Sequence, residues 1–411
     1  MIRENCLYVG VDLHKESHTA VLVNCWNEKL RTIQIDNKPS EFTKITKAVN
    51  KTALDHGLQP IYGLENANGH GRALAVWLIE KGCVVKDTNP AMAFDQRKSA
   101  PIMKKNDEHD AYSVATVLIN QLHTLPDAKP KDNHLTLSQL VNRRDTLAED
   151  GVRIRNTLHQ CVSSVYPSYK KYFCKIDTKT ALYFWQTYPS PEHLKDKTAE
   201  ELYEEFRTVT ANVRLSKAEL VLDCVQNDGN TIREYQETRD FITQSLVNDL
   251  KHQHLAMMQT EAEIEKMLTT FNHQLTTLPG VGTAVASKLI TEIGDISRFK
   301  NADKLAAFAG VSPKSFSSGG KGHDESNKQG NRKLHGLFYF LAVGMVCVHK
   351  NGTPYNPIFH KYFLRKISEG KTKTQAVFCI MRRLVNIVYG MMKNGTAYRP
   401  YQKESSDSND F

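Results

Sequence analysis

None of the eight cysteines in this 411-residue chain forms a C-x-x-C pair. Cys6, Cys25, Cys83, Cys161, Cys174, Cys224, Cys347 and Cys379 are scattered singly, which argues against a zinc knuckle or a disulfide framework. No apolar run approaches the roughly 20 residues that a membrane span needs. The opening stretch MIRENCLYVGVD lacks the apolar core and small-residue cleavage site of a signal peptide. No fixed-period repeat is visible. What remains is a chain of ordinary globular composition, 40% hydrophobic and 24% charged, long enough for two or three domains. A cytoplasmic protein with no membrane partner is the expectation.

Charge is present but uneven. The chain carries +9, yet residues 281–400 hold 19 Lys/Arg against 6 Asp/Glu, a local +13 that leaves the remainder at −4. A basic terminal third suggests a polyanion partner, most often nucleic acid. A solubilising basic surface is the plainer alternative.

Residues 7–12, 19–24 and 29–35 read as a three-stranded meander. A helix follows, with Ser40 as N-cap and Gly57 as C-cap. PIYGLE is a fourth strand, HGRALAVWLIEKG a helix closed by Gly82, and CVVKDT a fifth strand. The order β-β-β-α-β-α-β-α predicts a mixed α/β layer fold. Residues 135–164 turn helical, and 175–235 form a polar insert with weak helical signals. One long helix then carries Phe241, Leu246, Leu250, Met257 and Ile264 roughly on one side, suited to bridging domains or pairing with a second copy. Further helices are expected near 331–349 and 374–392, and the tail 401–411 reads as disordered.

Four acids sit at telling places. Asp12 ends the first strand in LYVGVDLHKESH, and Glu65 ends the fourth in YGLENANGHG. Asp107 and Asp110 lie three apart at the start of a helix and share one face. Converging carboxylates repel unless cations neutralise them, and hard oxygen ligands suit Mg²⁺ or Mn²⁺. Two such ions would stabilise the attacking and leaving oxygens of a phosphoryl displacement. Taken singly, each acid has a plainer explanation that short motifs favour: Asp107 as a helix N-cap or first-turn acid, and Asp12 as a turn residue. Taken in order, the set is what an RNase H-like nuclease core requires.

Two further stretches stand out. LPGVGTAVASKLI places Gly280 and Gly282 just before a helix, where backbone amides hold phosphate in a helix-hairpin-helix manner; a tight interhelical turn would look the same. AFAGVSPKSFSSGGKGHDESNKQGNRKL sets serines and glycines beside Lys314, Lys321, Lys328, Arg332 and Lys333. It reads as a loop able to bring a hydroxyl close to a phosphate, or simply as a flexible surface loop.

In order, YVGVDLHK, YGLENANGHG, KKNDEHDA and the block from LPGVG to SSGGKG resemble the DEDD-type insertion-sequence transposases. These are relatives of the Piv and MooV site-specific invertases, now also called bridge-RNA-guided recombinases. The resemblance covers most of the chain and is weakest over 175–235. It implies an RNase H/RuvC-like domain at 1–130, a helical linker region at 131–272 and a basic, mainly α-helical transposase domain at 273–400. It also implies that Asp12, Glu65, Asp107 and Asp110 hold Mg²⁺ or Mn²⁺, and that Ser318, with Ser317 as its rival, is the nucleophile. Asn106 precedes Asp107 where the family often has Thr. The implied partners are DNA, a structured noncoding guide RNA held partly by VNRRDTLAEDGVRIRN, and further copies of the chain, in the nucleoid-associated cytoplasm of a bacterium or archaeon. Competing readings are a metal-dependent nuclease or junction resolvase, an invertase without RNA guidance, and a non-catalytic nucleic-acid-binding protein.

Overall fold

A computed structural model describes residues 3–65, 69–98, 106–128, 132–230, 234–312, 314–318, 321–325 and 330–400. The chain divides into two units, residues 1–135 and 136–411. In the first, five strands form one sheet: β1 (Cys6–Leu13), β2 (Ser17–Val23), β3 (Lys29–Asp36), β4 (Gln59–Glu65) and β5 (Val84–Thr88). Their spatial order is β3-β2-β1-β4-β5. The meander pairs are antiparallel, whereas β1–β4 and β4–β5 are parallel. The helices are α1 (Phe42–His56), α2 (Arg72–Glu80), α3 (Pro90–Lys98) and α4 (Asp107–Gln121).

Because side chains alternate along a strand, β1 feeds two cores. Leu7, Val9 and Val11 pack with Phe42, Ile45, Leu74 and Leu78 of α1 and α2. Cys6 and Tyr8 pack with Ala111, Ala115 and Leu118 of α4. Gly10 is on the α4 side. A Cβ there would stand 2.1 Å from the Ala111 carbonyl oxygen and 2.3 Å from the Ala115 amide nitrogen, so only glycine lets the helix lie this close. Gly10→Ala is expected to destabilise this unit by about 1–3 kcal/mol or more, because rigid helix backbone must move. Chemical denaturation checks it.

The expected Ser40 cap is corrected. Ser40 lies inside a single 3₁₀ turn begun by Pro39, and Glu41 occupies the N-cap without a side-chain cap hydrogen bond. Gly57 does close α1, at φ 67°.

In the second unit two long helices, α5 (Asp132–Val165) and α10 (Gln236–Leu268), flank the polar insert. They are tied by a hydrogen bond from Gln253 Nε2 to the Leu147 carbonyl and by Arg144 on Glu261. The insert builds α6 (Tyr169–Tyr172), α7 (Lys179–Thr187), α8 (Ala199–Val209) and α9 (Leu215–Asp228) around a core of its own. Tyr166, Tyr172, Phe184, Trp185 and Phe206 are fully buried there, and Trp185 donates its indole N–H to the Ile176 carbonyl. Trp185→Ala is therefore expected to cost about 3–5 kcal/mol, read as a lower melting temperature of this unit. Phe241, assigned from the sequence to the apolar side of α10, is exposed instead. The buried face is made by Asp240, Thr243, Val247, Leu250, Gln253, Ile264 and Leu268.

The remaining elements are α11 (Thr283–Ile293), α12 (Ala302–Phe308), β6 (Lys314–Ser318), β7 (Lys321–Glu325), α13 (Arg332–Val346), α14 (Pro357–Ser368) and α15 (Lys373–Asn394). The helices share a core that includes Leu289, Ile293, Leu305, Phe338, Ile380 and Leu384. Gly280 adopts φ +80° and Gly282 is the N-cap of α11, so LPGVG is a tight turn into a helix. The stretch read as a loop contains an antiparallel hairpin, with Ser318 opposite Lys321 and Ser317 opposite Gly322. The disorder expected for 401–411 falls outside the described residues. Among the described residues no helix is long and apolar enough to cross a membrane.

Candidate active site

Parallel pairing of β1 with β4 runs from Cys6–Gln59 to Val11–Leu64, so Asp12 and Glu65 follow at the same level on adjacent strands. By strand alternation both fall on the α4 side of the sheet, with Gly10 and Gly63, and α4 begins with Asp107. The fold thus brings all four acids to one edge. Asp107 is not the N-cap of α4, although it does lie in the first turn, and Asp12 precedes the turn that follows it. Asp12 is paired in the sheet with Thr19, and the turn beyond is closed by the His14 amide on the Ser17 carbonyl. The cap of α4 is Asn106, whose Oδ1 accepts from the His109 amide at 2.7 Å, leaving the Asp107 carboxylate free of that task.

Asp12 is buried, and its Oδ2 has no aligned hydrogen bond among the described residues although His14 Nε2 stands 2.9 Å away. His14 Nε2 is also 3.5 Å from Asp107 Oδ1. Asp110 Oδ2 pairs with Arg97 of α3 at 3.1 Å, while its buried Oδ1 has no hydrogen-bond partner among the described residues. Burial raises the pKa of Asp12, the His14 charge opposes this, and Asp110 and Asp107 add to it. Burial also raises that of Glu65, with Arg97 opposing and Asp12 and Asp110 adding. The acids therefore feel one another. Glu108, between the two aspartates, is excluded from the set. It accepts from Lys29 Nζ and Thr32 Oγ1, both at 2.7 Å, and the Lys29 contact lowers its pKa.

A buried Asp110 oxygen with no hydrogen-bond partner among the described residues, and an Asp12 oxygen met only by the His14 ring, in a group of mutually repelling acids, are what a hard divalent cation would satisfy. Ligand atoms of Asp12, His14 and Asp107 lie within 4.8 Å of one another. Glu65 and Asp110 fall outside that tight group, and Arg97 faces Asp110 as the His14 ring faces Asp12.

Three contributors escaped sequence reasoning: Arg97, Gly10 and Asn37. Asn37 Nδ2 donates to the carbonyls of Lys15 and His70 at 3.2 Å and of His14 at 3.4 Å, tying the turn after Asp12 to the segment after Glu65. No local pattern marks Asn37. Gly10 was visible in VGVD, but the helix it accommodates was not.

The other sequence-predicted residues lie in the second unit. Arg332 opens α13, and Lys333 Nζ is 3.8 Å from Glu292 Oε1. Lys314, Lys321, Ser317 and Ser318 are placed by the hairpin backbone alone, and Lys328 falls outside the described residues.

Comparison with known proteins agrees with this architecture. A DEDD-type IS110 transposase family model matches residues 9–167, and the model described as the transposase IS116/IS110/IS902 family matches residues 272–362. The uncharacterized 43.6 kDa protein of insertion element IS110 from Streptomyces coelicolor is 27% identical over 398 residues, 95% of each chain. The 44.8 kDa protein of IS116 from Streptomyces clavuligerus is 24% identical, covering 97% of each. The pilin gene-inverting protein of Moraxella lacunata is 24% identical over 96% of this chain and 98% of its own. The mixed sheet with acids at its edge is the RNase H-like domain of DEDD enzymes, a family that uses divalent metal. Over residues 9–167 and 272–362 the chain is thus similar to the transposases of the IS110/IS116/IS902 family.

Proposed function

We propose that this enzyme cuts and rejoins DNA through two sets of residues, the acids of the first unit and Ser318 of the second. The observation that carries the reading is the convergence of Asp12, Glu65, Asp107 and Asp110, which raise one another's charge cost, with a buried Asp110 oxygen that has no hydrogen-bond partner among the described residues. Those acids would hold Mg²⁺ or Mn²⁺, which supplies Lewis-acid stabilisation of charge at a phosphate. The Ser318 hydroxyl attacks the phosphorus. A serine–phosphate bond forms as the bond to the 3′ oxygen breaks, and the serine proton ends on the released 3′-hydroxyl. Attack by a 3′-hydroxyl of another strand reverses the step and frees the serine. Glycines 280 and 282, with Lys314, Lys321, Lys328, Arg332 and Lys333, grip DNA phosphates in a helix-hairpin-helix manner, supported by the +13 charge of residues 281–400.

The reading includes an oligomer, in which Ser318 of one copy works with the acids of another, and a structured guide RNA that selects DNA. The test is a plasmid carrying the DNA that flanks the gene, incubated with the chain and Mg²⁺, with and without a transcript of the flanking noncoding segment. Joined products that require the transcript are expected. Linear DNA without joining would establish a nuclease instead.

A second reading, inversion of a DNA segment without RNA, is favoured by the match to the pilin gene-inverting protein along nearly all of both chains. It predicts an inverted segment in the same assay with no transcript added.

A further inference from the structure

We infer that the insert between α5 and α10 carries a separate binding groove, of about 680 Å³, for the phosphodiester backbone of a single nucleic-acid strand. Lys175, Arg214 and Lys217 line it. Their gathering is not a general property of the insert, where residues 175–235 hold eleven acids against eight bases. Among the described residues none of the three forms an ion pair. The neighbouring acid, Asp177, is held by Arg155 at 3.2 Å and His254 at 3.8 Å.

Lys217 is the most telling of the three. Its ammonium is half-buried, 5.1 Å from the centre of the Phe173 ring, and burial lowers its pKa. A desolvated cation with no carboxylate partner gains strongly from an arriving anion. Thr178, Ser216 and Asn212 add neutral donors to the wall. Residues from the amino ends of α7 and α9 both line the groove, so their dipoles reinforce the lysines.

The occupant follows from this chemistry. Spaced cations interleaved with hydroxyl and amide groups suit repeated phosphates, and the volume exceeds that of one phosphate group. The rings of Tyr172 and Phe173 are buried in the core, so they offer no face for base stacking. The contact is therefore with backbone, without sequence readout.

Cys174 is exposed and lines the groove, so it reports occupancy. The experiment measures N-ethylmaleimide labelling of Cys174 in the full chain by mass spectrometry, with oligo(dT) or oligo(U) of about twenty nucleotides. EDTA is present throughout, which makes the result independent of the metal site. Labelling should slow by about fivefold or more with at least one oligonucleotide, and the half-protecting concentrations identify the preferred strand. Lys175→Glu, Arg214→Glu and Lys217→Glu together should abolish protection without unfolding the chain. Loss of three phosphate contacts lowers the salt dependence of log affinity by about 2. Should the triple variant unfold, Lys175→Ala with Arg214→Ala, both exposed, makes the same test. Unchanged labelling with both oligonucleotides, equal protection by polyglutamate of matched charge, or protection that survives in a folded variant would overturn the assignment.

Discussion

Asp12→Asn is expected to abolish DNA strand cleavage, by about 10³-fold or more, in a chain that stays folded. Asparagine keeps the shape of the side chain and removes one ligand charge, and losing several kcal/mol of charge stabilisation at the phosphate corresponds to that rate. Stability should move the other way. Asp12 is buried, its charged form is disfavoured by that burial, and Asp110 and Asp107 repel it. Removing the charge relieves all of these, so the variant should melt at or above the wild-type temperature in EDTA. The parent should gain stability with Mg²⁺, about 2.7 kcal/mol at a hundredfold excess over the dissociation constant, and the variant should not. Thermal melts with and without Mg²⁺, beside a cleavage assay, check both halves. Retained cleavage together with a retained Mg²⁺ effect would remove Asp12 from the site and leave no role for this edge of the sheet.

How much of this was legible in the sequence depended on whether the cause was local. Strand ends and helix starts are local, so Asp12, Glu65 and the Asp107–Asp110 pair could be placed before any coordinates. The requirement for Gly10 is not local. It arises because α4, about a hundred residues later, lies against β1 with its backbone nearly in contact. Arg97 and Asn37 likewise act on residues from other elements. The insert's core was hidden for a different reason. Its aromatics are dispersed among charged residues, and only α6 to α9 folding together brings Tyr166, Phe184 and Trp185 into contact. α14 was missed although Asn356 caps it and Pro357 opens it, both readable signals. The β6–β7 hairpin was missed because KSFSS and KGHDE carry too little apolar alternation to outweigh the glycines around them.

Ser318→Ala is expected to eliminate both strand exchange and any protein–DNA adduct that survives denaturant, again by about 10³-fold or more. Ser318 is the last residue of β6, opposite Lys321, while Ser317 lies one step inside and opposite Gly322. Ser318, just before Gly319, is the proposed nucleophile because aligning AGVSPKSFSSG with the family's serine block puts it there, with Ser317 as its rival. Ser317→Ala should therefore retain adduct and exchange within about tenfold. The measurement is a denaturing gel of labelled DNA ends after incubation with Mg²⁺, run for both variants and for Asp12→Asn. Loss of the adduct in Ser318→Ala and in Asp12→Asn, but not in Ser317→Ala, means that acids and serine serve one reaction. Continued cleavage without adduct in Ser318→Ala would mean that the acids alone cut DNA, as in a nuclease or junction resolvase. An adduct that disappears only in Ser317→Ala would move the nucleophile one residue along β6 and leave the rest of the scheme in place.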